Sequence, residues 1–137
     1  MERIIIFFVL LISFLCLPLP SFAFEQPSLS TLITVQNNKY QNCVKVFNVD
    51  NVTLYYMTIA AINANKFQID EIQSKAGNIL FTAVNKQFLA TVSNVNTNQA
   101  LLRITPVDNN YYFQPGIVSN IFRFVEINLA KKVENIL

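Results

Sequence analysis

FQIDEIQSKAGNILFTAVNKQFLATVSNVNTNQALLRITP, residues 67–106, is built of short apolar runs at a spacing of two, separated by polar turns. Side chains of a strand alternate between two faces, so Phe67 and Ile69 set against Gln68, Asp70 and Glu71 predict a half-buried strand with its charges outward. The alternation slips at Glu71-Ile72, as it does at a bulge. Gly77, in the sequence Lys75-Ala76-Gly77-Asn78, then supplies a turn, because glycine adopts positive φ at little cost. Residues 79–84 form a second run, apolar on nearly both faces, which Asn85-Lys86-Gln87 breaks. A third run sets Phe88, Ala90 and Val92 against Leu89, Thr91 and Ser93, and a polar loop over 94–98 leads to a fourth, residues 100–105. These connections are too short for parallel crossovers. They predict an antiparallel meander of four strands, or of three if the segments around Asn85 are one kinked strand.

Helical patterns flank the meander. Asn48 or Asp50 can accept hydrogen bonds from the free amides of a helix start, and residues 51–66 follow. Val52, Tyr55, Tyr56, Ile59, Ala60 and Ile62 line one stripe, with Asn51, Thr58 and Asn65 on the other side. After a loop at 106–110, Pro115 suits the first turn of a second helix, where its missing amide costs nothing. That helix runs to about Lys132, with Ile117, Ile121, Phe124 and Val125 on one face, Val118, Phe122 and Leu129 on a neighbouring one, and Lys131-Lys132 complementing its negative end. Residues 133–137 either fray or dock. Toward the N-terminus, residues 31–35 and 40–47 have strand propensity around a turn at 36–39; they form either a hairpin or an arm plus a strand.

Residues 1–23 read as a cleavable secretory signal. Arg3 precedes an apolar run from Ile4 to Leu17 broken only by Ser13, Pro18 and Pro20 stop it, and Ser21 and Ala23 stand at the small-residue positions before Phe24. An uncleaved anchor is the alternative, and is the one route to a membrane that the sequence offers. Ser13, Phe14 and Leu15 are unlike a lipobox, so Cys16 reads as an apolar filler of the signal. Residues 24–30 read as a leader and 31–137 as a single domain.

With Cys16 removed, Cys43 stands alone and no internal disulfide is available. It is either a buried small hydrophobe or half of an intermolecular disulfide. The net charge of +2 is weak and its lysines are scattered, which argues against a nucleic-acid partner.

The chain has no histidine and only two glycines. Imidazole-based nucleophile activation, the usual zinc sites, phosphate-cradling loops and dinucleotide fingerprints are therefore excluded, and no cofactor or metal is expected. Asp70 and Glu71, as strand neighbours, point to opposite faces; an enzyme would need carboxylates converging near Asp108. Tyr111, Tyr112 and Phe113 are the candidate interaction surface, as a short strand extension or an aromatic plug over a core edge. For Tyr55-Tyr56 the expectation is one ring in the core and one at its rim.

Taken as helix, meander, helix, residues 50–129 resemble the small exported α+β domains of bacterial envelope proteins, many of them lipoproteins. Ile59 to Ile69 entering the sheet and Leu102-Arg103-Ile104 before the last helix carry the likeness. The resemblance implies an envelope or periplasmic location and no catalytic residues.

The fold class expected is α+β, a two-layer sandwich with both helices on one face of an antiparallel sheet. The function expected is a non-catalytic module binding a protein partner or itself, through an open sheet edge or the second helix. The alternative is a carrier of a small apolar ligand, held in a cavity between sheet and helices that Phe81, Phe88 and Phe124 would line.

Overall fold

The structure is a computed structural model that describes Leu32 and residues 34–136. The signal, Cys16, the leader and Leu137 lie outside the described residues, as do Thr31 and Ile33. The elements are β1 (Gln36–Asn37), β2 (Val44–Phe47), α1 (Asn51–Ala64), β3 (Gln68–Gln73), β4 (Asn78–Ala83), β5 (Lys86–Asn96), β6 (Gln99–Pro106), β7 (Tyr112–Phe113) and α2 (Gly116–Glu134). β2-β6-β5-β4-β3 form an antiparallel sheet, and β1 pairs separately with β7. Both helices pack against the five-stranded sheet, which is the α+β architecture expected.

The four strands of the meander stand as read, with sharper turns; β5 runs on through Asn96, so the loop expected over 94–98 shrinks to the turn at Thr97-Asn98. Val84 and Asn85 both have positive φ, 49° and 60°, in the two-residue connection that the Ala83–Lys86 pair closes. Two positive φ values match the twist of the strands they join. Strand β4 therefore ends one residue earlier than the hydrophobic pattern suggested. Gly77 follows the 3-10 turn Ser74–Ala76 at φ 70°, as its place in the turn required. The bulge lies between Ile69 and Glu71 rather than at Glu71-Ile72.

The strand alternation sorts the sheet into two faces. Ile79, Phe81, Phe88, Ala90, Leu102 and Ile104 are fully buried beneath the helices. Phe81 stacks on Phe88 at 5.5 Å and on Phe67 at 6.1 Å, and Phe113 closes on Phe88 edge to face at 5.0 Å. From the helices, Leu54, Ile62, Ile117, Ile121 and Val125 complete this core.

Helix α1 turns a different face inward from the one its pattern suggested. Leu54, Tyr55, Thr58, Ala61 and Ile62 are buried, while Val52 and Tyr56 are exposed. Apolar residues are spread around this helix, so spacing alone could not orient it. Thr58 reaches the interior because its hydroxyl donates to the Leu54 carbonyl at 2.7 Å, which satisfies it without water. Asp50 caps the helix, accepting from the Thr53 amide at 2.9 Å. Those bonds hold its carboxyl below the usual range, the Thr53 amide more than the Thr53 hydroxyl.

The two helices run antiparallel: Lys132 lies near enough to Asp50 to act on its charge, and Ala64-Asn65 share a groove with Asn120 and Arg123. On α2, Ile117, Val118, Ile121, Phe122 and Val125 are buried, whereas residues 130–136 are exposed. Ile136 is therefore undocked.

The N-terminal strands join the fold by long-range pairing instead of forming a hairpin. Residues 36–39, read as a turn, contain β1, whose partner β7 lies far along the chain. Residues 40–43 make a 3-10 turn rather than the start of a strand, and only 44–47 pair, with β6. Thr34 and Val35 are in no strand.

Candidate functional site

Tyr111, Tyr112 and Phe113 separate in the structure. Phe113 is buried, Tyr111 is half-buried, and Tyr112 is 55% exposed, so strand alternation leaves the first as a plug and the last as rim. Tyr111 meets Tyr40 edge to face at 6.4 Å, and Tyr40 is itself 48% exposed. Burial pushes the Tyr111 hydroxyl up, with Cys43 and Tyr40 adding to the effect and Arg103 opposing it. The tyrosine rim thus stands beside Arg103.

Arg103 belongs to the sheet face turned away from the helices. On that face Val46 opposes Leu101, Val44 opposes Arg103, and Leu80 opposes Leu89. Glu71 pairs beside Leu80 at the far strand. The leucines are only half-buried and Val46 is exposed, because no layer of the described residues covers them. Sequence patterning missed this surface, since Leu89 stood at a position that alternation set against the core face and the run at 100–105 announced no face of its own.

The two sheet edges differ. β3 presents Gln68, Asp70, Glu71, Ile72 and Gln73 around a bulge, a polar and irregular margin that resists pairing. β2 is short and regular, and its Lys45 is drawn inward to an ion pair with Glu126 of α2.

Between β1, the 3-10 turn and the start of α2 lies a cleft of about 490 Å³. Asn38 builds its wall. Its side-chain amide donates to the carbonyls of Phe113 at 2.8 Å, Gln36 at 3.0 Å and Tyr111 at 3.1 Å. Cys43 lies at the base, 1% exposed, and burial raises its thiol from 9.0 to about 11, so it stays protonated near neutrality.

Asp70 and Asp108 are each engaged separately. Asp70 accepts from the Thr82 hydroxyl at 2.6 Å and from Gln87 at 3.3 Å, and these bonds, in that order, lower its pKa. Asp108 accepts from the Asn110 amide at 3.0 Å and pairs with Lys86 at 3.0 Å; the amide is the larger cause of its lowered pKa. Among the described residues, no three His, Cys, Asp or Glu side chains gather as metal ligands, and no helix is long and apolar enough to cross a membrane.

No family model and no curated protein matches this chain. Its site must be argued from its own geometry. Of Tyr55 and Tyr56, the first is buried and the second exposed, their rings 5.8 Å apart.

Proposed function

We propose that the chain is a non-catalytic, exported interaction module of the bacterial envelope that binds a protein partner or a second copy of itself. The uncovered sheet face carries this reading: Val44, Val46 and Leu101 form one apolar cluster on it and Leu80 and Leu89 a second, with Thr91, Ser93, Arg103 and Thr105 between them. Arg103 between the clusters and Glu71 at the margin give a partner charges to match, and Tyr111 with Tyr40 against it sets amphipathic rings near Arg103. The free edge of β2 continues the same surface and offers main-chain pairing. The apolar run and small-residue site at 1–23 support export. The stacked phenylalanines that fill the space between sheet and helices weigh against the carrier alternative.

Photo-reactive residues placed singly at Leu80, Leu89 and Leu101 test the surface. They are expected to trap a partner protein or a second copy, with little yield from a control position at Asn63 on α1. Adducts from Asn63 alone would sink the proposal.

A further inference from the structure

Among the described residues, Lys45, Lys86 and Arg103 are the half-buried cations. Two of them find a counter-charge within the fold: Lys45 pairs with Glu126, and Lys86 with Asp108 at 3.0 Å. Arg103 forms no ion pair with a described residue. The acids of its own sheet, Asp70 and Glu71, stand on β3, three strands from β6 and so about 14 Å off at the usual strand spacing. Its neighbours on the open face are uncharged. Val44 and Thr91 stand opposite it on β2 and β5, Leu101 and Thr105 flank it along β6, and Leu89 lies on the diagonal. A cation drawn partly out of water loses hydration that an anion restores, and a carboxylate fits the planar fork of arginine with two parallel hydrogen bonds.

We propose that Arg103 anchors the open sheet face by receiving one aspartate or glutamate side chain of a protein partner, with apolar residues beside that acid resting on Val44 and Leu101 and on Leu89. This deepens the interaction reading given above and rests on it. The count of charges selects the occupant: a nucleic acid or other polyanion would meet a single unpaired cation among these strands, since Lys45 and Lys86 are already neutralised. The spacing selects it as well. Thr91, Ser93 and Thr105 divide the apolar ground into two short clusters, which gives a continuous alkyl chain no trench to follow. Alternate residues of an extended segment set their side chains about 7 Å apart on one face, which is the separation of Leu101 and Arg103 along β6.

Titration of the protein with acetyl-Leu-Thr-Glu-Thr-Leu-amide, which sets its two leucines and the glutamate on one face when extended, and with the glutamine analogue tests this. NMR follows the Arg103 Nε–Hε resonance and the methyl groups of Leu89 and Leu101. The glutamate peptide is expected to shift them saturably and to bind at least about tenfold more tightly than the glutamine peptide. Arg103→Gln should erase that difference, and Arg103→Lys, which keeps the charge but loses the fork, should recover only part of it. Equal binding of the two peptides, no saturable shift from either, or tighter binding of decanoate than of the glutamate peptide overturns the proposal. Cross-links from Leu80, Leu89 and Leu101 that form undiminished in Arg103→Gln protein overturn it too, and leave the interaction surface standing; their absence from the parent protein removes both.

Discussion

The Val92 amide donates to the Gly77 carbonyl at 2.9 Å, and a β-carbon on Gly77 would stand 2.5 Å from the Val92 carbonyl oxygen. The turn after β3 is thereby pressed against the middle of β5. Gly77→Ala meets backbone, which cannot swing aside, and meets it at a positive φ. A loss of about 2–4 kcal/mol in unfolding free energy is expected by urea denaturation; a change below about 0.5 kcal/mol would mean the turn relaxes freely.

Val84 presents the converse case. A β-branched residue at φ 49° is strained, and its side chain is 46% exposed, so little packing is lost on replacing it. Val84→Asn should stabilise the domain by about 1 kcal/mol, read as a rise in thermal midpoint of about 4–8 °C.

Phe81 lies at the centre of the ring stack and is fully buried. Phe81→Ala is expected to cost about 3–5 kcal/mol. Equilibrium denaturation showing less than about 1 kcal/mol would contradict the layering.

Cys43 sets the alkaline behaviour. Its thiol is raised from 9.0 to about 11 in the folded state, so an unfolded chain gives up this proton at lower pH than the native one does. Its contribution to stability is complete below pH 9 and is lost as the pH climbs toward 11. Cys43→Ala should flatten that part of the stability profile. Iodoacetamide at pH 8 should label native protein far more slowly than protein in urea.

Periodicity made the meander and both helices legible, because each is specified by residues close in sequence: Phe88, Ala90 and Val92 announce their own face. The inward face of α1 was hidden because Val52 and Tyr56 are as apolar as Leu54, and because Thr58 satisfies its hydroxyl within its own helix turn. β1 was illegible for a different reason. Two polar residues have no strand signal of their own, and what orders them is Asn38, whose amide bonds to Phe113 across 75 positions. The tyrosine cluster was found by composition, but its division into Phe113 inside and Tyr112 outside required the β1–β7 pairing. Of the cleft amides, Gln36, Asn37 and Asn38 lay within what reads as a turn and Asn42 within what reads as a strand, and they gave no signal beyond their polarity.

If the proposed self-association runs through β2, the unlike edges of the sheet limit its stoichiometry. Joining two copies through β2 would consume the receptive margin of each and leave only the bulged, charged β3 at both outer limits. Growth by edge pairing would therefore terminate at a pair: β2 would be used up, and the bulged β3 would resist a further strand.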